Sequence, residues 1–231
     1  MRNENPRHIA IILDGNRRWA RAKGLPPWEG HRKGLDKLGD LFKWAKELDI
    51  RELSLYCFSV QNFDRDPKEV AFLMDLFVKT AEKALKNEDV HKNKVKIRFL
   101  GRLGMLPEKV QQAAKRVMDA TKEYDNYILN LCMAYGGREE IVDGVNRVIE
   151  DVKAGKIDSV DEKSFQDFLY LKSDPDIVIR TGGDKRISNF LLWHINYSEL
   201  FFLDTYWPAF SREDIASVIE EYKKRNRRYG K

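Results

Sequence analysis

Two stretches of this chain gather cations and polar groups around glycines, as phosphate sites do. The first is HIAIILDGNRRWA, His8 to Ala20, in which an apolar run, Ile9 to Leu13, ends in Asp14-Gly15. Asn16 is placed to cap a new helix whose first turns carry Arg17, Arg18 and Arg21. Arginines at a helix start oppose the dipole unless an anion sits among them. Backbone N–H groups there, flanked by arginines, form a phosphate cradle. The acid beside the cradle, Asp14, can recruit Mg²⁺, a hard cation that prefers oxygen ligands. By itself the local pattern also fits a strand–turn–helix corner with solvated arginines.

The second stretch is RTGGDKRISN, Arg180 to Asn189. Arg180 ends another apolar run, and Gly182-Gly183 lets backbone approach a ligand closely. Arg186 and Ser188 follow two residues apart. Two arginines and a hydroxyl around a glycine turn suit a second phosphate group. Pairing of these arginines with Asp174, Asp176 or Asp184 is the plainer alternative. Glu199, in YSEL, is a candidate second metal ligand. A third loop, FSVQNFDRDP, places Ser59, Gln61, Asn62 and Arg65 directly after a strand. Alternation puts Leu55, Cys57 and Ser59 on one side of the sheet, so an apolar space is expected beside that rim. Of four histidines, His31 in EGHRKG opens a helix near the first cradle and is placed to bond a phosphate. His8, His91 and His194 are read as structural.

These groups need a scaffold that brings distant loops together. Apolar runs of strand length recur at Ile9–Leu13, Leu53–Phe58, Val95–Leu100, Tyr127–Met133, Ile177–Arg180 and Leu200–Leu203. Helical spacing lies between them. After Gly34 it selects Leu35, Leu38, Phe42, Ala45 and Leu48. From Pro67 to about Lys86 it selects Val70, Leu73, Met74 and Phe77. After Pro107 it selects Val110, Ala113, Ala114, Val117 and Met118. Gly136-Gly137 precedes a further helix, and Ser211 is placed to cap the last one. Alternation of apolar strands with helices predicts an α/β fold with a central, mainly parallel sheet covered by helices. Residues 1–231 are expected to form a single domain. Ligands in such folds bind at the carboxyl ends of the strands, where all three loaded loops fall.

Composition narrows the function. The 231 residues carry 42 Lys and Arg against 37 Asp and Glu, a formal net charge of +5. That modest excess suits an anionic small molecule or a membrane surface as well as nucleic acid. No RRM signature or zinc-finger spacing is present, so nucleic acid is not expected as a partner. Walker, GxGxxG, HExxH and GxSxG motifs are also lacking. Cys57 and Cys132 lie in apolar runs and read as buried, reduced thiols, which with the lack of an apolar leader in MRNENPRH predicts a cytoplasmic protein. The basic tract Lys223 to Lys231 reads as a solvated tail.

Taken in order, HIAIILDGNRRWA, EGHRKG, LYCFSVQNFDR, AYGGR, RTGGDKRISNFLLW and YSELFFLDTYWPAF resemble the cis-prenyltransferases of the undecaprenyl (polyprenyl) diphosphate synthase family. The resemblance covers about His8 to Phe210. It implies sequential addition of isopentenyl diphosphate to an allylic diphosphate, geranylgeranyl or farnesyl diphosphate, giving a long-chain polyprenyl diphosphate such as undecaprenyl diphosphate. It implies a homodimer, a hydrophobic tunnel and peripheral membrane contact for product release. Asp14 becomes the central catalytic acid and Mg²⁺ anchor, with Glu199 a second Mg²⁺ ligand. Gly15, Asn16, Arg17, Arg18 and Trp19 would cradle the allylic diphosphate, with His31 in contact. Ser59, Val60, Gln61, Phe63 and Arg65 would border the substrates, and Asn62 would assist proton removal. Arg180, Arg186, Ile187 and Ser188 would hold isopentenyl diphosphate. Arg228 and Gly230 match an element that reaches the partner's site, which changes the reading of the tail.

The chain also departs from the family pattern. Pro27 stands where many members place an arginine. Val60-Gln61 replaces the commoner Ser/Thr-Glu pair, Phe63 replaces tryptophan, and Asp66 is an extra residue before Pro67. These departures bear on acceptor choice more than on the reaction.

Overall fold

Eight α-helices and six β-strands follow one another in the computed structural model, which describes residues 5–225. The order is β1 (His8–Ile12), α1 (Asn16–Ala22), α2 (Pro27–Glu47), β2 (Glu52–Ser59), α3 (Pro67–Leu85), α4 (Glu88–Lys92) and β3 (Val95–Leu100). Then come α5 (Glu108–Thr121), β4 (Tyr127–Tyr135), α6 (Gly137–Lys153), α7 (Glu162–Phe165), β5 (Ile177–Arg180), β6 (Glu199–Phe202) and α8 (Arg212–Lys224). The six strands form one sheet in the order β3-β4-β2-β1-β5-β6, and every pairing is parallel. All six strands lie where the apolar runs predict them: β3 and β5 coincide with the expected ranges, and the other ends shift by two residues at most.

Parallel pairing explains why the central strands are apolar on both faces. In β1, Ile9 and Ile11 face one core with Leu53, Leu55, Ile177 and Ile179, closed by Leu41 of α2, Trp207, Phe210 and Ile215. Ala10 and Ile12 face the other core with Val178, Tyr135, Leu171, Phe190 and Leu191. A third cluster lies beneath α3 and α5 and contains Phe58, Leu73, Met74, Phe77, Leu106, Val110 and Met133. β2 is bulged between Tyr56 and Ser59 against β4. Strict alternation fails there. Leu55 is buried in the first core, while Tyr56, Cys57 and Ser59 all border the space at the strand end.

Helix starts show where sequence reading needs correction. α2 begins at Pro27 and so includes Gly30 and Gly34, rather than starting after Gly34. Proline at the first helical position is preorganised in φ, and the glycines are packing positions. A Cβ on Gly30 would lie 2.0 Å from the Asn16 carbonyl oxygen, and one on Gly34 would lie 2.2 Å from Asn16 Oδ1. Asn16 does not cap α1. Gly15 does so, at φ 98°, a left-handed conformation that favours glycine. The Asn16 amide instead donates to the Leu13 carbonyl at 2.9 Å. Ser211 caps α8 as expected, its hydroxyl accepting from the Asp214 N–H at 3.2 Å. Among the described residues, no helix is long and apolar enough to cross a membrane.

Candidate active site

β1 is the strand where the sheet order reverses: β2 lies on one side and β5 on the other. The crevice outside the carboxyl end of such a strand is the place where open α/β sheets bind ligands. A cleft of about 730 Å³ opens there. Six arginines border it: Arg17, Arg18, Arg21, Arg65, Arg180 and Arg186. Three carboxylates answer them, Asp14 and Asp184 in the cleft wall and Glu69 from α3. The cleft therefore holds three more arginine charges than carboxylate charges.

The arginines fall into two groups by partner. In the first, Arg17 Nη1 lies 3.4 Å from Glu69 Oε2, and Arg65 Nη1 lies 3.3 Å from Glu69 Oε1. His31 Nε2 lies 3.0 Å from the same Oε1. Burial pushes the His31 ring below its ordinary value, outweighing the upward pull of Glu69, so it is neutral at pH 7. In the second, Arg180 Nη2 donates to Asp14 Oδ2 at 2.7 Å, and Arg180 Nη1 donates to Ser188 Oγ at 2.7 Å. Arg18 Nη2 bridges Asp14 at 3.2 Å and Asp184 at 3.1 Å, and Arg186 pairs with Asp184 at 3.1 Å. The plainer pairing of Arg180 and Arg186 with Asp184 is thus present. These pairs form inside the cleft and hold the arginines in place there.

Asp14 sits between β1 and α1 on a short loop held from two sides. Its N–H donates to Thr181 Oγ1 at 3.0 Å, the Thr181 hydroxyl donates back to its carbonyl at 2.8 Å, and the Trp207 N–H donates to that same carbonyl at 2.9 Å. Burial alone would raise its carboxyl. Hydrogen bonding and charge from Arg180, the Gly15 N–H and Arg18 overcome that and hold it below the usual carboxylate range. Asp14 is therefore ionised at neutral pH. Gly15 and Arg18 share Oδ1, and Oδ2 keeps a lone pair beyond the one Arg180 takes. Mg²⁺ is commonly bound by one or two carboxylates plus substrate phosphates, and Asp14 fits that use. Among the described residues, no group of three or more His, Cys, Asp or Glu forms an all-protein metal cage.

Most of the sequence-chosen residues meet in this cleft: Asp14, Gly15, Asn16, Arg17, Arg18, His31, Ser59, Gln61, Asn62, Arg65, Arg180, Arg186 and Ser188. Asn62 Oδ1 accepts from the Ser59 N–H at 3.1 Å, leaving its amide NH₂ for a ligand. Trp19, Val60, Phe63 and Ile187 do not border the cleft. Trp19 lies under Lys23, 5.3 Å from ring centre to Nζ, and Phe63 packs edge-on against Phe58. The Ile187 carbonyl accepts the Phe190 N–H.

Glu199 is not brought to Asp14 within the chain. It opens β6, level with Ile177, whereas Arg180 ends β5 level with Phe202. Three residues of strand, about 10 Å, separate those levels. Its carboxylate pairs with Arg225 at 2.7 Å. The expected role for Arg228 and Gly230 lies outside the described residues.

The cleft also contains residues that the sequence reading left out of the site. Tyr56, Leu73, Asp184 and Asn189 border it, as does Arg21 of the expected cradle, and Glu69 bonds three of its cationic or imidazole groups. Tyr56 stacks on Phe190 with ring centres 4.5 Å apart. Asn189 Oδ1 accepts the Arg138 N–H at 2.9 Å, and its carbonyl accepts the Gly137 N–H at 2.7 Å. The AYGGR motif thus positions the loop of Ser188 and Asn189. Those two residues adopt φ values of 48° and 63°.

Comparison with known proteins gives a consistent result. Residues 12–230 match the prenyltransferase family model described as undecaprenyl diphosphate synthase. The tritrans,polycis-undecaprenyl-diphosphate synthase (geranylgeranyl-diphosphate specific) of Thermococcus kodakarensis is 49% identical over 230 residues, 98% of this chain and 87% of that one. The enzyme of the same name from Methanopyrus kandleri is 45% identical over 98% of this chain and 85% of its own length. Among solved structures, lavandulyl diphosphate synthase from Lavandula x intermedia, in complex with dimethylallyl diphosphate, superposes with a TM-score of 0.93 at 32% identity. That match covers 98% of this chain and 99% of the other. A probable undecaprenyl diphosphate synthase from Campylobacter jejuni superposes with a TM-score of 0.83 at 33% identity, covering 99% and 100% of the two chains. With one cleft joining an ionised aspartate to two arginine groups, and with relatives matched over nearly the whole chain, this protein belongs to the undecaprenyl diphosphate synthase family of cis-prenyltransferases.

Proposed function

We propose that this chain adds isopentenyl diphosphate repeatedly to geranylgeranyl diphosphate, forming a long polyprenyl diphosphate of the undecaprenyl class. The observation that carries this reading is the pairing of two arginine groups in one cleft around Asp14. Two substrates that both end in diphosphate need two such groups. The names of the archaeal relatives favour geranylgeranyl diphosphate as the acceptor.

Each residue has a task in this reading. Arg17 of the first group, Arg18 reaching across from beside Asp14, and the Gly15–Asn16 backbone hold the allylic diphosphate, with neutral His31 beside it. Arg180, Arg186 and Ser188 hold isopentenyl diphosphate. As the allylic C–O bond breaks, negative charge grows on the departing diphosphate, and preplaced guanidinium donors stabilise it. Asn62 stands at the rim for the proton lost from the condensing unit. Two diphosphate esters carry more negative charge than the arginine excess of the cleft, so a divalent cation is needed. Mg²⁺ held by Asp14 together with phosphate oxygens would supply that charge.

Tyr56, Cys57 and Leu73 form the apolar side of the cleft, with the Phe58, Met74 and Phe77 cluster behind them. We place the growing chain there, where each buried CH₂ contributes about 0.8 kcal/mol. The protein acts as a homodimer in this reading. Support comes from the exposed aliphatic stripe of α6, Val142, Val145, Ile149 and Val152, which a second copy would cover. The lipid product leaves through contact with a membrane surface.

The test incubates purified protein with Mg²⁺, labelled isopentenyl diphosphate and dimethylallyl, geranyl, farnesyl or geranylgeranyl diphosphate. Extension is expected to be fastest from geranylgeranyl diphosphate and to stop when Mg²⁺ is chelated. Absence of extended product with every acceptor overturns the reading.

A further inference from the structure

Glu69 stands three residues after Asp66, which caps α3 by accepting from the Lys68 and Glu69 N–H groups. A glutamate at that spacing commonly folds back onto the cap's own N–H. Glu69 does something else. Both its oxygens are taken by side chains from three other segments: Arg17 of α1, His31 of α2 and Arg65 of the loop after β2. Its side chain is only 16% exposed. A carboxylate only accepts hydrogen bonds, so His31 Nε2 carries the proton and donates it to Oε1.

This geometry resembles a bound anion. One carboxylate bonds two guanidiniums and an imidazole N–H, as a phosphate oxygen set would. Arg17 has no other ion-pair partner among the described residues, and neither has Arg65. Without Glu69, both would lose the contact that aims them into the cleft. The start of α3 favours negative charge at this position, which suits Glu69 to the task.

We propose that Glu69 is a positioning residue: it is the resident counter-ion of the first arginine group and releases Arg17 and Arg65 to an incoming diphosphate while keeping its bond to His31. The proposal rests on the reading that this cleft takes diphosphate esters. Glu69 has two opposed effects. It preorganises the arginines for the departing diphosphate, and its charge repels that same anion. Removing the charge while keeping the shape therefore separates them.

The variants are Glu69→Gln and Glu69→Asp, each checked for folding by thermal melting. Inorganic diphosphate is titrated calorimetrically without metal, and turnover is measured separately. Glu69→Gln should bind inorganic diphosphate about fivefold more tightly, the effect of removing one like charge about 4 Å away in water. Its kcat should fall at least about tenfold because Arg17 and Arg65 lose their alignment. Glu69→Asp keeps the charge and should bind the anion as the parent does, with intermediate kcat. Unchanged or weaker binding by Glu69→Gln overturns the proposal, whatever happens to turnover. If Glu69→Gln does not fold, parent-like diphosphate affinity with an intermediate kcat in Glu69→Asp supports the role, and altered affinity or a kcat equal to the parent's overturns it. A parent protein that binds diphosphate yet elongates no acceptor refutes the enzymatic reading alone.

Discussion

The Asp14 carboxylate accepts a hydrogen bond from Arg180 at 2.7 Å across 166 positions of sequence. Parallel pairing of β1 with β5 makes this contact. Ile12 is level with Arg180, so the loop after β1 passes directly over the end of β5. The same Arg180 bonds Ser188, which ties the aspartate to the second phosphate loop.

Replacing Asp14 by alanine should cut turnover by at least about a hundredfold, the scale of losing one preplaced group from a charge-stabilising site. The fold should survive, since Arg180 keeps Ser188 and a 3.7 Å contact with Asp184. Steady-state kinetics with circular dichroism checks both statements.

Arg180→Lys keeps the charge but cannot span Asp14, Ser188 and the Arg186 carbonyl together. The expected outcome is a fall in kcat of about tenfold or more, with a rise in KM for isopentenyl diphosphate larger than that for the allylic substrate. Equal effects on both substrates would count against the assignment of Arg180.

Gly30→Ala should destabilise the protein by about 1–3 kcal/mol, because its Cβ meets backbone of α1 and not a movable side chain. Displacing Asn16 also moves Arg17 and Arg18. Denaturant unfolding should therefore show the loss together with a raised KM for the allylic diphosphate.

Pro27 begins α2 and offers no cationic side chain to the cleft. Arg21 borders the cleft and has no carboxylate partner among the described residues. Arg21→Ala is expected to raise KM for the allylic diphosphate about fivefold, with kcat within about twofold, as for a screened charge near the anion. Substrate saturation curves check this.

Burial holds His8 below its ordinary value, against the opposing pull of Glu52 and Asp176. The unfolded chain therefore binds a proton more readily. The contribution of His8 to stability is fully present above pH 6.5 and is lost as pH falls towards the folded value. Melting temperature should drop across that window, and the drop should shrink in His8→Gln, which retains a partner for the Ser54 hydroxyl.

The central strands were legible because buried parallel strands must be apolar on both faces, as β1 and β5 are, while the edge strand β3 was legible by alternation, with Lys96 and Arg98 between Val95, Ile97 and Phe99. The arginines around Asp14 were legible because their grouping at strand ends is costly unless an anion balances them. The packing role of Gly30 and Gly34 was not legible, because only the neighbouring α1 shows why this helix needs glycines there. Glu69 carries no local signal in the sequence, since its three partners come from segments that local spacing cannot connect.

By itself the sequence determined the chemistry: which strands exist, which loops carry cations, and that an acid stands beside them. Periodicity and residue type are local properties and survive in one dimension. The strand order β3-β4-β2-β1-β5-β6 decided which loops share a cleft. It set Asp14 against Arg180 and gathered Arg17, His31 and Arg65 on Glu69. It also placed Glu199 at the other end of the strands. The direction of each strand and its neighbours decide which end of the sheet a residue occupies, and only the packed fold sets them.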